Sequence, residues 1–232
     1  MSTPDDSPTE ACARLLSLAV HELRTPASVV GGYLRMLQRD TESAMTERQR
    51  KMIDEAEKSC ARLVGLIAEM SELSKLDAGL LTLGRARLDL FPLVKDVADS
   101  VHESAEREVR LEVRGEVRGA SLVGDAARLR GALDAIFRAI LREQPAACTV
   151  VIDRRFERKP GNANSAVLVV APDDRVQAAY DAVRATFDEK RGGLGLALPI
   201  ARRVVERHGG RVWAPVHAEE RGAAIVAFPL SE

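Results

Sequence analysis

Aromatic residues are scarce in this 232-residue chain and make up only 3% of the sequence. Because 46% of the residues are hydrophobic, the core is expected to consist mainly of aliphatic side chains. Cysteine is also rare, and Cys12, Cys60 and Cys148 are too few and too widely spaced for a disulfide framework or a zinc site. We therefore expect a fold without covalent cross-links and without a metal site.

Charge of one sign is not in excess, since 34 lysines and arginines balance 35 aspartates and glutamates. This balance excludes the basic surface of a nucleic-acid-binding domain. No stretch approaches the roughly 20 apolar residues of a membrane span, and the acidic start MSTPDDSPTEAC is unlike a signal peptide. These absences predict a cytoplasmic protein that binds neither nucleic acid nor membranes.

The first third of the chain carries the pattern of a helical hairpin. Residues 1–8 are polar and are predicted to be a disordered lead-in, and a helix is predicted from residue 9 to about residue 39. Apolar residues recur every seven positions in this helix, at Leu16, Leu23, Val30 and Leu37. The helix therefore has one apolar stripe that needs a partner.

A second helix is predicted from Thr46 to about Lys75, because Thr46 and Gln49 form the pattern of a capping box. Its apolar positions alternate spacings of three and four residues, as in a coiled-coil seam: Ile53, Ala56, Cys60, Leu63, Ile67, Met70 and Ser74. The two helices predict an antiparallel hairpin over residues 9–78. Since a lone hairpin cannot bury both stripes, we expect a homodimer that forms a four-helix bundle.

From residue 79 onward helical and strand patterns alternate, which predicts a second domain of the α+β class over residues 79–232. Helices are predicted at 88–106, 125–142 and 194–208, with a weakly helical stretch at 176–187. Strands are predicted at 108–116, 120–124, 148–155, 165–171, 211–214 and 223–229. We expect the helices to pack on one face of a sheet.

His21 lies in the first predicted helix, away from the apolar seam, and is expected to face solvent. Glu22 is adjacent to it, and Thr25 follows one turn later on the same side of the helix. Pro26 interrupts the helical pattern at a cost of about 3 kcal/mol and is expected to bend the helix. A solitary helical histidine is usually an ordinary surface residue, but these neighbours favour a functional one.

The chemistry of this cluster suits phosphoryl transfer. A neutral imidazole nitrogen is a good nucleophile toward phosphorus. The Glu22 carboxylate can accept or orient the proton on the other ring nitrogen, and the Thr25 hydroxyl can position a water for the reverse, hydrolytic step.

The stretch from Leu18 to Leu37, LAVHELRTPASVVGGYLRML, closely resembles the phospho-acceptor box of bacterial sensor histidine kinases. The stretch ELSKLDAGLLTL, from Glu72 to Leu83, resembles the family's exit from its dimerisation bundle. The resemblance implies that His21 is phosphorylated, that Glu22 is the base for phosphotransfer and that Thr25 serves in dephosphorylating a response regulator. It also implies that the second domain is an α/β sandwich of the kind that binds ATP in this family.

Several landmarks of that ATP-binding domain can be placed on the sequence. Leu122 to Asp125 resembles the strand end before the family's asparagine box, and Phe187 resembles its phenylalanine box. The stretch GGLGLA from Gly192 to Ala197 resembles the second glycine box, and RVVERHGGRVW from Arg203 to Trp213 resembles the closing helix and strand. The resemblance thus covers nearly the whole chain.

The residues that hold magnesium and adenine in the family are altered here. Ala135 and Ala139 stand at the positions of its asparagine pair, and alanine has no oxygen to offer a cation that prefers oxygen ligands. The first glycine box corresponds to residues 170–176, which contain no glycine. Asp173 or Asp174 could replace the carboxylate of that box, but branched and charged side chains would crowd the base.

The segment that forms a mobile lid in the family is also short. Only Asp188 to Arg191 lie between Phe187 and the second glycine box, too few residues to close over a triphosphate. Gly193 and Gly195 could form an anion site before a helix, but the combined changes favour a tight structural turn. We therefore expect no ATP or magnesium cofactor.

The leading hypothesis is a dimeric phosphorelay protein that resembles kinase-derived histidine phosphotransferases. His21 would receive a phosphoryl group from a phosphorylated receiver or an upstream hybrid kinase, and pass it to the receiver domain of a response regulator, which supplies the magnesium. One alternative is an active ATP-dependent histidine kinase with a divergent nucleotide site. Another is a non-catalytic or phosphatase-type regulator of a kinase or response regulator.

The remaining candidate residues have structural interpretations. His208 is expected to cap a helix end as a cation, and His102 and His217 are expected on the surface. Cys60 is expected to be a small buried hydrophobe and Trp213 a core residue.

Overall fold

A computed structural model of the protein describes residues 8–39, 45–102, 107–158, 164–216 and 222–231. The chain divides into two compact units, residues 1–81 and residues 82–232. The first seven residues of the predicted lead-in, and His217, lie outside the described residues. Each described helix is too short or too polar to span a lipid bilayer.

The first unit is the helical hairpin that the sequence predicts. Helix α1 spans Pro8–Arg39 and helix α2 spans Glu47–Asp77. The capping box at the start of α2 is confirmed: Thr46 Oγ1 accepts a hydrogen bond from the Gln49 N–H (3.3 Å), and the Thr46 N–H donates to Gln49 Oε1 (2.9 Å). Reciprocal bonds of this kind satisfy two backbone donors that a helix start otherwise leaves unpaired.

The two helices approach closely around Cys60. Its side chain is buried, and Sγ donates a hydrogen bond to the Ala27 carbonyl at 3.1 Å. A Cβ at Gly31 would lie 3.2 Å from Cys60 Sγ, so glycine allows the helices to come together here. The prediction that Cys60 is a small buried hydrophobe is confirmed.

The heptad stripe of α1 is not the surface that α1 buries within its own chain. Leu23, Val30 and Leu37 are each about half exposed, whereas Val20 is only 3% exposed. On α2, Cys60 and Ile67 are buried. The hairpin therefore has one internal seam and leaves a second apolar stripe uncovered.

The second unit has the predicted α+β character. Its strands are β1 (Ala86–Asp89), β2 (Val109–Gly115), β3 (Ser121–Gly124), β4 (Cys148–Glu157), β5 (Ser165–Pro172), β6 (Arg184–Thr186), β7 (Arg211–Pro215) and β8 (Ala224–Pro229). Its helices are α3 (Leu90–Ser100), α4 (Ala126–Arg142), α5 (Val176–Asp181) and α6 (Ala197–Arg207). The predicted class, a helical hairpin followed by an α/β unit, is confirmed.

The strands form two sheets. Strands β1 and β3 make a small antiparallel pair, and the other six strands form a sheet in the order β2-β4-β5-β8-β7-β6. Only β2 and β4 run parallel, whereas the remaining neighbours are antiparallel. Strand β6 was not predicted: residues 176–187 read as weakly helical, but only Val176–Asp181 forms a helix, and Arg184–Thr186 pairs with β7.

The large sheet is covered on both faces. Arg154 of β4 donates from Nη1 to the Phe91 carbonyl in α3 (3.1 Å), so its side chain lies on the face that carries α3, and α4 and α6 pack in the same layer. The next side chain, Arg155, lies on the opposite face, with its guanidinium 4.6 Å over the ring of Tyr180 in α5. The expectation of helices on one face was wrong for α5, because β5 is buried on both faces and needs cover on each.

Asp125 is the N-cap of α4. Its carboxylate accepts hydrogen bonds from the backbone N–H groups of Gly84 (2.9 Å) and Arg128 (3.1 Å). These bonds, that from Gly84 first, favour the charged form and lower the pKa of Asp125. The carboxylate therefore contributes stability above its unfolded pKa of about 3.9, and this contribution is lost as the pH falls through the lower folded value.

We expect Asp125→Ala to lower the free energy of unfolding by about 1–2 kcal/mol at neutral pH, because α4 loses its cap. The difference from the natural chain should shrink below about pH 4, where the natural carboxylate is itself neutralised. Urea unfolding over a pH series measures this. Asp96→Ala removes an exposed carboxylate of α3 and should have little effect at any pH. A difference for Asp125→Ala that did not change with pH would contradict the charge-based role.

Candidate functional site

The predicted phospho-acceptor cluster lies on the solvent side of α1. The His21 and Glu22 side chains are 79% and 72% exposed, and Thr25 is also exposed. Their neighbour Val20 is buried, so α1 is packed on one side while the side that carries His21 faces outward. The predicted exposure of His21 is thus what the structure shows.

Glu22 lies beside one nitrogen of the His21 ring. The distance from His21 Nδ1 to Glu22 Oε1 is 3.6 Å, which is longer than a hydrogen bond but close enough for a favourable interaction with an N–H at Nδ1. With Nδ1 next to the carboxylate, Nε2 is the nitrogen on the far side of the ring. The arrangement leaves Nε2 open on the side of the ring away from the carboxylate.

Pro26 follows this cluster within the continuous helix α1. Because proline has no N–H, the Glu22 carbonyl lacks its usual partner four residues later. One carbonyl in the turn that carries His21 and Glu22 therefore lacks its usual helical hydrogen bond, and the predicted bend at Pro26 stays a prediction.

The two alanines that the sequence resemblance places at the family's asparagine pair are buried in α4. Ala135 is 7% exposed and Ala139 is fully buried. Gly192 lies directly on Ala139, since a Cβ at Gly192 would lie 2.7 Å from the Ala139 Cα. The surface of α4 at this point is therefore covered by the protein's own backbone.

Asp173 is not near these alanines. Its carboxylate pairs with Arg114 of β2, with oxygen–nitrogen distances of 2.5 and 3.3 Å. Arg114 is aligned with Asp153, whose side chain lies on the α5 face of the sheet along with that of Arg155. Asp173 is therefore held toward the face opposite to α4, and the structure does not bring it together with Ala135 or Ala139.

The glycines after Arg191 form a tight turn. Gly192, Gly193 and Gly195 all have positive φ angles, at 63°, 62° and 63°, a conformation that favours glycine. The turn leads into α6, which begins at Ala197. Gly193 and Gly195 are exposed, whereas Gly192, which the sequence did not single out, makes the close contact with α4.

The ion pairs of three charged residues near this turn were not predicted from the sequence. Arg191 pairs with Glu143 through two hydrogen bonds, one of them 2.8 Å from Nε to Oε1, and Glu189 pairs with arginines of α6. The only signal in the sequence is charge, an acidic residue after α4 and a basic residue before the glycines. Charges of this kind are too common on protein surfaces to predict a pairing.

His208 lies at the end of α6, as expected, but not as a cation. Its Nε2 accepts a hydrogen bond from the Asp125 N–H (2.9 Å), so this nitrogen carries no proton. Its Nδ1 then donates to the Val204 carbonyl at 2.7 Å. The neutral ring joins the end of α6 to the start of α4, which corrects the interpretation as a cationic cap. His102 is exposed as predicted.

Trp213 is half-buried and packs against the apolar cluster on the α5 face. The Arg184 guanidinium lies 4.9 Å over its ring, which covers the indole with a side chain of the same chain. This supports the prediction that Trp213 is a packing residue.

Comparison with known proteins finds a family model that matches the first unit. Residues 13–79, which include His21, match the family model "His Kinase A (phospho-acceptor) domain". The helical hairpin is thus similar to the phospho-acceptor domain of histidine kinases. "Sensor histidine kinase GacS" of Pseudomonas protegens is 30% identical over 208 residues, which cover 83% of this chain and 22% of that protein. "Signal transduction histidine-protein kinase BaeS" of Escherichia coli is 28% identical over 221 residues, which cover 90% of this chain and 45% of that protein.

A solved structure shares the fold of the chain. The structure of full-length ShkA in complex with AMPPNP matches with a TM-score of 0.66 at 22% identity, over 94% of this chain and 46% of that one. This likeness supports the shared fold, and the His kinase A match and the sensor kinase relatives support a likeness to the bacterial sensor histidine kinase family. The chain spans less than half the length of the curated relatives GacS and BaeS.

Proposed function

We propose that this protein is a cytoplasmic phosphorelay component that carries a phosphoryl group on His21 and exchanges it with aspartates of response-regulator receiver domains. The observation that carries the proposal is the exposed His21–Glu22 pair within a His kinase A domain. The second unit contributes no ATP-dependent step in this proposal. Phosphoryl donors are then a phosphorylated receiver or an upstream hybrid kinase.

The transfer step follows from the geometry of the cluster. The lone pair of His21 Nε2 forms a bond to phosphorus, and the bond from phosphorus to the aspartyl oxygen breaks, so that the receiver regains its carboxylate. The imidazole becomes cationic, and Glu22, 3.6 Å from Nδ1, stabilises that charge. The reverse step delivers the group to a second receiver, which holds the magnesium ion.

Three features of the second unit support the proposal that ATP binding is lost. Ala135 and Ala139 offer no oxygen to a metal, and Gly192 covers Ala139. Asp173 is engaged by Arg114 on the other face of the sheet. The connection before the glycine turn is short and paired to its surroundings. A magnesium–triphosphate complex would have to displace these contacts.

The proposal is tested by finding out which phosphoryl donor labels the protein. The full chain is incubated in parallel with labelled Mg·ATP and with a labelled phospho-receiver. We expect label on the protein only from the receiver, and no protein-dependent label from ATP. Label acquired from ATP alone would contradict the proposal and favour an active kinase. Absence of label from both donors would favour a regulator that binds without transfer.

A second candidate is an active ATP-dependent histidine kinase. It is favoured by the kinase names of GacS and BaeS and by the intact Glu22. A third candidate, a phosphatase-type or non-catalytic regulator, is favoured by the exposed Thr25. We prefer the relay because the altered positions of the second unit affect ATP use and leave the His21 cluster complete.

We also propose that the protein is a homodimer joined through the uncovered stripe of the hairpin. Leu23, Val30 and Leu37 are spaced seven residues apart and about half exposed, which suits packing against a second copy. We expect Val30→Glu to convert the dimer to a monomer in sedimentation experiments, because a charge would have to be buried. Arg62→Glu, on the exposed side of α2, serves as the charge control. A natural chain that is monomeric at high concentration would contradict the proposal.

A further inference from the structure

The connection between Phe187 and Gly195, called the strap below, contacts both the end of α4 and α6. It contains Glu189, Arg191 and Gly192, and each of these makes a specific contact outside the strap. Such contacts are unusual for a surface connection, which ordinarily has few partners. They bear on whether the strap can open to admit a ligand.

Arg191 holds the strap to the end of α4. Its guanidinium makes paired hydrogen bonds to the Glu143 carboxylate and donates from Nη1 to the Ala223 carbonyl at 3.0 Å. The guanidinium also lies 5.0 Å over the ring of Phe187. The Arg191 and Glu143 side chains are only 9% and 19% exposed, so this is a protected ion pair rather than a surface one.

Glu189 holds the strap to α6. Its Oε1 accepts hydrogen bonds from Nη1 of Arg202 (2.9 Å) and Nη1 of Arg203 (2.6 Å). These two arginines are adjacent in the middle of α6. The strap is therefore tied to α6 by Glu189 and to α4 by Arg191, two residues apart in sequence.

Gly192 seats the strap backbone on α4. A Cβ at this position would lie 2.7 Å from the Ala139 Cα and 3.1 Å from its Cβ. The Gly192 carbonyl also accepts a hydrogen bond from Arg142 Nη1 at 3.4 Å. Backbone at this distance leaves no room between the strap and α4 for a metal ion or a phosphate.

We propose that the strap is an internal substitute for a bound nucleotide: it joins the end of α4 to α6 and makes the arrangement of the strap and these two helices independent of any ligand. The inference rests on the proposed loss of ATP binding and deepens it. Arg191 pairs the strap with Glu143 at the end of α4, and Glu189 pairs it with the arginines of α6, so both contacts are made by side chains of the protein itself. The unit is then insensitive to the adenine nucleotide concentration of the cell.

Hydrogen–deuterium exchange of the full chain tests the strap. We expect slow exchange of the amides at 190–196 in the natural protein, with no change on adding millimolar Mg·AMPPNP. Arg191→Ala should speed this exchange by at least about tenfold, because Glu143 loses its partner, and Mg·AMPPNP should not restore it. Arg130→Ala removes an exposed cation from α4 and should leave the strap unchanged.

Glu143→Gln provides a milder variant if Arg191→Ala does not fold, since it keeps the size and one acceptor of the carboxylate. It should also speed exchange at 190–196, by less than Arg191→Ala. Fast exchange in the natural chain that slows with Mg·AMPPNP would overturn the inference, as would unchanged exchange in both variants.

Transfer from a phospho-receiver, measured on the same samples, separates the two proposals. Slow strap exchange without transfer to His21 would overturn the relay and leave the strap inference intact. Transfer with a freely exchanging, nucleotide-insensitive strap would overturn only the strap inference.

Discussion

His21→Ala is expected to abolish uptake of the phosphoryl group from a phospho-receiver. The nucleophile of the proposed reaction is lost, and the other described histidines, His102 and His208, belong to the second unit. The measurement is the label retained on the protein after mixing with a labelled receiver. His102→Ala removes an exposed histidine and should transfer like the natural chain. Full labelling of His21→Ala would contradict the assignment.

Substitutions of the two neighbours of His21 should distinguish phosphoryl transfer from hydrolysis. We expect Glu22→Gln to slow transfer by about 10²–10⁴-fold, since the amide cannot stabilise the imidazolium that forms. Thr25→Ala should leave transfer intact and slow hydrolysis of the phosphoryl group. The rates are followed by loss of label from the receiver and release of inorganic phosphate. If Glu22→Gln transferred at the natural rate, the 3.6 Å approach to His21 Nδ1 would have no catalytic role.

The hairpin could be predicted from sequence because its signals are local. Thr46 and Gln49 are three residues apart and form the capping box that the structure contains. The spacing of His21, Glu22 and Thr25 on one helix likewise needs no tertiary information. The exposed positions of Leu23 and Val30 were harder to foresee, because a heptad pattern shows that a stripe is apolar and not which helix covers it.

The second unit was less predictable, because its important contacts join distant residues. The sequence suggested Asp173 as a replacement carboxylate, but its partner Arg114 lies 59 positions away and holds it on the other face of the sheet. The pairing of Arg191 with Glu143 spans 48 positions. A sequence pattern locates strands and helices, but which charges meet depends on strand order and register. Strand β6 was missed for the same reason, since its three residues are defined by pairing with β7.

Gly192→Ala is expected to destabilise the second unit strongly. A non-glycine residue at its φ of 63° costs about 1–2 kcal/mol. The added Cβ would also meet the Ala139 backbone at 2.7 Å, and overpacking of this kind costs about 1–3 kcal/mol more. Thermal or urea unfolding of the full chain measures the total.

Gly193→Ala is the matched control, because Gly193 has nearly the same φ, 62°, but a Cβ there would have no neighbour within 4 Å. The two variants therefore share the backbone strain and differ only in the contact with α4. We expect Gly192→Ala to melt roughly 2–12 °C below Gly193→Ala, from the overpacking cost and the size of the unit. Equal melting temperatures would mean that the strap moves off α4 at little cost. Gly192 could then move away from Ala139, and the strap would not exclude a metal–phosphate complex from the surface of α4.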